Sequence, residues 1–222
     1  MRSEIQNVLF DLDGTLVDSS HTIGMSIDFA LERMAVENAR DKPIESMIGR
    51  PLLDIFHHEF KMTDDQAYQA IDIYRDYYDS LNQQGTDVYE SIRDVLPALQ
   101  KAGYRLFVAT VKPTPIADKV LKDLDLRSCF DGVSGASMGP KRRDKSSIIA
   151  HAVKTFGLDP VQSIMIGDRD QDILGARENG MEAIGVTYGF GSREELSSAD
   201  PAHLVDHSEQ IINLLVNPDA AE

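Results

Sequence analysis

A chain of 222 residues with 42% apolar side chains can bury a sizeable core, as one large domain or as a core with a smaller inserted unit. Its 37 acidic against 22 basic residues leave a formal charge of −15, which repels a phosphate backbone and argues against nucleic acid as a partner. No stretch approaches the roughly 20 apolar residues that cross a bilayer, and Cys129 is the only cysteine, so neither a membrane nor an internal disulfide is expected.

The start, Met1-Arg2-Ser3-Glu4, lacks the apolar region of a signal peptide, so a reducing cytoplasm is the expected home. The apolar run Val8-Leu9-Phe10 then predicts a strand, which ends on Asp11-Leu12-Asp13-Gly14-Thr15-Leu16. Gly14 permits a tight turn and Thr15 places a hydroxyl beside it. Alone, the Asp-x-Asp pair equally suits an Asx turn capping the next helix. At the carboxyl end of a strand in an open α/β sheet, the same pair faces the crevice where ligands sit.

Ile23, Ile27, Leu31 and Met34 recur at helical spacing, and Thr63-Asp64-Asp65-Gln66 reads as a capping box. Ala67, Ala70, Ile71, Tyr74, Tyr78 and Leu81 then predict a long amphipathic helix ending near Gly85. Residues 18–85 show no strand pattern, so they are expected to form a helical unit inserted after the first strand, with the core built from 1–17 and 86–222. Within the insertion, Arg50 in the turn Gly49-Arg50-Pro51 is a candidate for a substrate carboxylate or second phosphate. Tyr74 and Tyr78 are expected to pack, and His57 and His58 are assigned no chemistry.

Pro97 interrupts the helical pattern from Ile92 to Ala102 and is expected to kink or delay that helix. Arg105 to Thr110 and Ser163 to Gly167 are β-rich runs alternating with helical stretches, the pattern of parallel βα units covered on both faces. The fold class expected is therefore α/β: a doubly wound, Rossmann-like parallel sheet with an inserted α-helical cap. Thr114-Pro115 and Ser192-Arg193-Glu194-Glu195 read as helix starts, the first with Thr114 as N-cap and the second as a capping box. Cys129 is expected to fill core, and the tail from Pro218 to fray.

Three later strand ends gather further chemistry. Thr110, followed by Val111-Lys112-Pro113, leaves a hydroxyl and backbone N–H groups suited to a phosphoryl oxygen. Lys141-Arg142-Arg143-Asp144-Lys145 precedes a helix, and Lys145 opens it, although Lys141 remains a rival. Gly167-Asp168-Arg169-Asp170-Gln171-Asp172 brings more acids, with Asp168 the expected direct ligand of a hard cation and Asp172 its supporting partner. Two carboxylates about 5 Å apart repel by roughly 3 kcal/mol at an effective dielectric near 20, so gathering Asp11, Asp13 and Asp168 calls for a cation.

Taken together, Asp11-x-Asp13, Thr110, a lysine within 141–145 and Gly167-Asp168-x-x-x-Asp172 resemble the four motifs of the haloacid dehalogenase superfamily. The helical insertion and Gly185-Val186-Thr187-Tyr188-Gly189-Phe190-Gly191 are similar to its phosphoglycolate phosphatase and β-phosphoglucomutase branch. The resemblance implies a Mg²⁺-dependent phosphatase in which Asp11 forms an aspartyl-phosphate and Asp13 moves protons. It implies that Thr110 and Lys145 hold the phosphoryl group, and that the Asp11 carboxylate, the Asp13 carbonyl and Asp168, with Asp172, hold Mg²⁺. Gly14, Thr15, Arg50 and Val111, the last through its backbone N–H, are the expected substrate contacts. The implied substrate is a small phosphorylated metabolite, namely phosphoglycolate, a nucleoside 5′-monophosphate or pyrophosphate, handled by a monomer or homodimer. Two alternatives stand beside it: a phosphomutase of the β-phosphoglucomutase type, and a non-catalytic binding protein on the same fold.

Overall fold

The computed structural model describes residues 5–36, 42–138 and 142–216; the rival lysine Lys141, the first four residues and the tail from Pro218 lie outside the described residues. In chain order the elements begin β1 (Asn7–Phe10), β2 (Val17–Asp18), α1 (Ser20–Arg33), α2 (Leu52–His58), α3 (Asp64–Ser80), β3 (Asp87–Val88) and α4 (Ile92–Lys101). They continue β4 (Arg105–Pro113), α5 (Thr114–Asp123), β5 (Gly132–Ala136), α6 (Lys145–Phe156), β6 (Ser163–Gly167), α7 (Asp170–Glu178), β7 (Glu182–Val186), α8 (Arg193–Ser198), β8 (His203–Val205) and α9 (Gln210–Leu215).

Six strands form one sheet in the order β5-β4-β1-β6-β7-β8, every pair parallel. The chain leaves the central β1 for β4 and β5 on one side, then returns to β6 on the other. That reversal opens a crevice at the carboxyl end of β1, where the sheet's topology favours a ligand.

Alternate residues serve opposite faces. Val8 and Phe10 of β1 pack with Leu106, Val108, Ile164 and Ile166 in one core cluster, while Leu9 joins Phe107, Ala109 and Met165 in the other. Because both faces are buried, the strands read as continuous apolar runs.

The first cluster continues without interruption into the helices between β2 and β3. Ile23, Ile27 and Leu31 of α1 and Ala67, Ala70, Ile71, Tyr74 and Tyr78 of α3 belong to it. Where the chain leaves and re-enters the sheet, β2 and β3 pair antiparallel through Val17–Val88 and Asp18–Asp87. This short ribbon falls at the edges of the region read as free of strands.

Local starts follow the sequence with exceptions. Thr63 and Gln66 form the capping box of α3, with both reciprocal bonds present. Ser192 caps α8 through the Glu195 N–H, but the Glu195 carboxylate goes to Arg169 and the Asp170 N–H instead of closing a box. Thr114 is not the N-cap of α5: Pro113 holds that position, and the Thr114 hydroxyl accepts the Gly135 N–H at 2.9 Å across to β5. Pro97 lies inside α4, which runs from Ile92 through it rather than starting after it. Strand β4 does not stop at Thr110 but continues to Pro113 through a register shift against β5. Cys129 is only partly buried, packed against the core from a short 3₁₀ turn.

Candidate active site

The carboxyl ends of β1, β4 and β6 and the start of α6 meet in one buried place. The Asp11 N–H still belongs to the sheet, donating to Ile166 O at 2.9 Å, so the backbone fixes this side chain at the strand's last rung. Asp11 Oδ1 accepts the Leu12 N–H at 2.7 Å and lies 2.9 Å from Lys145 Nζ. The same Nζ is 2.7 Å from Asp172 Oδ1 and donates to Ala109 O at 3.0 Å. Lys145 is the first residue of α6, behind the N-cap Asp144, yet its side chain is 1% exposed.

Asp168 follows the last residue of β6 and is held from three directions. Thr15 Oγ1 donates to its Oδ1 at 3.1 Å and the Phe190 N–H to its Oδ2 at 2.8 Å. Gly14 presses on it with φ +88°, a conformation that favours glycine, and a Cβ there would lie 2.6 Å from Oδ1 and nearer still to Oδ2. On the opposite wall, a Cβ at Gly189 would overlap Asp168 and Gly14 O.

Asp11, Asp168 and Asp172 each bring an oxygen to within 4.8 Å of the others, all buried. Burial, reinforced by Asp172 and Asp11, pushes the Asp168 carboxyl well above the ordinary range. Burial also raises Asp172, to about 6, even though Lys145 pulls it down. For Lys145, burial opposes the charge but Asp11 and Asp172 more than reverse that, and its pKa is raised. Three carboxylates against one ammonium leave the cluster short of positive charge, and an all-oxygen donor set suits a hard divalent cation such as Mg²⁺. The residues present therefore fit that group.

The Asp13 carboxylate stands apart from the cluster. Ser19 Oγ donates to Oδ1 at 2.7 Å, and Lys112 Nζ lies 2.9 Å from Oδ1 and 2.7 Å from Oδ2. Burial works against the Lys112 charge, but Asp13 outweighs it and the pKa is raised. Lys112 is the site residue that sequence reasoning passed over. Its signal was alternation: two residues after Thr110 on a continuing strand, it shares that residue's side.

The other expected contacts are distributed between the turn, the strand end and the cavity. Gly14 N–H donates to Val17 O at 2.8 Å and Thr15 N–H to Leu12 O at 3.3 Å, so both backbone groups brace the turn, while the Thr15 hydroxyl serves Asp168. Thr110 is buried at its strand position, its hydroxyl accepting the Lys112 N–H at 3.2 Å. Val111 and Arg50 line a cavity of about 160 Å³ between the helices and the sheet end, together with Asp13, Lys112, Tyr74 and Tyr78. The Arg50 guanidinium is already engaged, 2.7 Å from Glu59 Oε1. The junction of β6 and α7 clasps the same helical segment: Arg169 Nη1, at the N-cap of α7, donates to Ile48 O at 2.7 Å and Gln171 Nε2, in its first turn, to Gly49 O.

A doubly wound sheet carrying a strand-end carboxylate, a buried lysine and an acid trio defines an enzyme of phosphate chemistry rather than a bare scaffold. The chain belongs to the haloacid dehalogenase-like hydrolases, whose family model matches residues 8–186. It is 36% identical over 197 residues to a 5′-nucleotidase of Pseudomonas aeruginosa, covering 89% of each chain. Similarity to a phosphoglycolate phosphatase of Vibrio vulnificus is 25% identity over 97% of this chain and 98% of that one. The crystal structure of a predicted phosphatase from Clostridium acetobutylicum superposes with a TM-score of 0.90 at 34% identity, covering 97% of this chain and all of the other. Among the described residues, no helix is long and apolar enough to cross a membrane.

Proposed function

We propose that the chain hydrolyses a small phosphomonoester through an aspartyl-phosphate on Asp11, with Mg²⁺ as its cation. The observation that carries this reading is the Asp11 carboxylate itself, fixed through Oδ1 by Lys145 and the Leu12 N–H at the crevice of the sheet. Oδ2 has no hydrogen-bond partner among the described residues and is the oxygen available to attack.

In the first step an Asp11 oxygen forms a bond to phosphorus, the bond from phosphorus to the leaving oxygen breaks, and Asp13 gives that oxygen a proton. In the second, Asp13 takes a proton from water as the water oxygen bonds to phosphorus, the Asp11–phosphorus bond breaks, and the carboxylate is restored. Lys145 and the Thr110 hydroxyl stabilise charge on the phosphoryl oxygens, which is largest in the transition state. Asp11, Asp168 and Asp172, with the Asp13 carbonyl, would hold Mg²⁺, which supplies charge neutralisation for a dianionic substrate. The helices of residues 18–85 act as a cap over the core of 1–17 and 86–222, and their cavity receives the leaving group.

Of phosphoglycolate, a nucleoside 5′-monophosphate and pyrophosphate, the nucleoside 5′-monophosphate fits best. The cavity offers Met47, Ile48, Ile55, Ile71, Tyr74 and Tyr78, a largely apolar wall better matched to a nucleoside than to glycolate. The similarity to a 5′-nucleotidase points the same way. The test is Asp11→Asn in a phosphate-release screen over nucleotides, phosphoglycolate and pyrophosphate, with and without Mg²⁺. Turnover should fall by at least about a thousandfold with the fold retained; near-normal turnover refutes the nucleophile.

A further inference from the structure

We propose that Lys112 is a positioning residue for the proton transfer, fixing the Asp13 carboxylate, and that Tyr78 of the helical segment completes its seat. The inference rests on the reading of Asp13 as proton donor. Lys112 and Asp13 side chains are 8% and 9% exposed, so this ion pair is not one of the weak surface kind. Three segments far apart in sequence converge on it: Ser19 at the N-cap of α1, Lys112 on β4 and Tyr78 on α3.

The geometry assigns different work to the two Asp13 oxygens. Oδ1 accepts both the Ser19 hydroxyl and Lys112, while Oδ2 accepts Lys112 alone among the described residues. Oδ2 therefore keeps the capacity to exchange a proton with the leaving oxygen, and Oδ1 serves as the anchor that stops the carboxyl group rotating. Lys112 Nζ in turn sits 5.0 Å from the centroid of the Tyr78 ring, a cation over an aromatic face that limits where the ammonium can go. Asp13, Lys112 and Tyr78 all border the cavity read as the leaving-group site. The aim of the acid thus depends on a residue of the helices that close over the substrate.

An acid out of place harms poor leaving groups more than good ones, because a good one departs without a proton. The experiment compares kcat/KM, which reports steps through departure of the alcohol, for phenyl phosphate and 4-nitrophenyl phosphate, substrates of similar shape. Variants are Asp13→Asn, Lys112→Met, Lys112→Arg and Tyr78→Leu, each checked by thermal unfolding. Lys112→Met should lose about 10–100-fold more on phenyl phosphate than on 4-nitrophenyl phosphate, in the pattern of Asp13→Asn. Tyr78→Leu should show the same bias at roughly 3–10-fold, and Lys112→Arg should recover part of the loss. If Asp13→Asn discriminates between the esters but Lys112→Met falls equally on both, the positioning role is refuted while the acid assignment stands. If Asp13→Asn does not discriminate, the acid assignment fails and takes the inference with it. Should Lys112→Met not fold, Tyr78→Leu decides: equal effects on both esters overturn the proposal.

Discussion

Replacing Lys145 by methionine removes the cation paired with Asp11 and Asp172 while keeping most of the side chain's volume. Its Nζ is 2.9 Å from Asp11 Oδ1 and 2.7 Å from Asp172 Oδ1, with side-chain exposures of 1%, 2% and 0% for the three groups. At an effective dielectric near 20 each contact amounts to about 6 kcal/mol of gross attraction. Desolvation of the three ions offsets most of that, and deleting one partner of a buried pair costs about 3–5 kcal/mol because the other is left uncompensated. A chain of this size loses about 2–4 °C of Tm per kcal/mol, so Lys145→Met should melt roughly 6–20 °C below wild type in a chelator. Mg²⁺ at about a hundred times its dissociation constant returns about 2.7 kcal/mol, reversing much of the loss. Circular dichroism melts with and without Mg²⁺ measure both quantities. A variant melting within about 2 °C of wild type in chelator, or indifferent to Mg²⁺, would refute the idea that these carboxylates depend on that cation.

Gly14→Ala should cost about 1–2 kcal/mol from the left-handed backbone alone and should weaken Mg²⁺ binding as well, since its Cβ meets the Asp168 carboxylate; wild-type unfolding and Mg²⁺ titration would contradict it. The Arg50 guanidinium, with Lys42, holds the Glu59 carboxyl at about 2 against an ordinary 4.5. A depressed carboxyl stabilises the fold above its unfolded pKa and loses that contribution as pH falls towards the folded one. The stability difference between wild type and Glu59→Gln should therefore be full near neutrality and disappear between about pH 4.5 and 2 in urea unfolding series; a difference constant with pH removes the pairing as its cause.

Much of the sheet was legible because parallel strands buried on both faces carry unbroken apolar runs. Leu106 to Ala109 and Ile164 to Ile166 announce themselves, and the acids that stop such runs mark the ligand end of the sheet. Strand β5, Gly132-Val133-Ser134-Gly135-Ala136, has no such signature: its small residues are there for close approach, a Cβ on Gly135 meeting the Lys112 and Thr114 backbone. That tight contact accompanies the continuation of β4 past Thr110, which propensity at Lys112-Pro113 does not suggest. Thr114 looks like a cap because local rules weigh only neighbours, whereas its hydroxyl is claimed by Gly135, 21 residues away. The pairing of Lys112 with Asp13 spans 99 residues, and only the parallel alignment of β1 with β4 brings the two together.

The charges at the strand ends explain why cation and substrate should bind as partners. Four carboxylates, Asp11, Asp13, Asp168 and Asp172, face two ammonium groups, Lys112 and Lys145, a formal excess of two negative charges in a buried space. A phosphomonoester dianion entering such a site adds to a repulsion already present. A divalent cation held by Asp11, Asp168 and Asp172 would bring the protein groups to formal neutrality, leaving the Lys145 ammonium to draw the phosphoryl oxygens. Whatever one ligand gains from the other is returned equally, because the coupling free energy is shared. Lys112 stands outside that exchange, held at Asp13 instead of among the acid trio. If Asp13 is the proton donor proposed above, the Lys112 charge acts on the geometry of proton transfer, and the separation of the two lysines, one among the acid trio and one at Asp13, would let phosphate binding and leaving-group protonation be tuned independently.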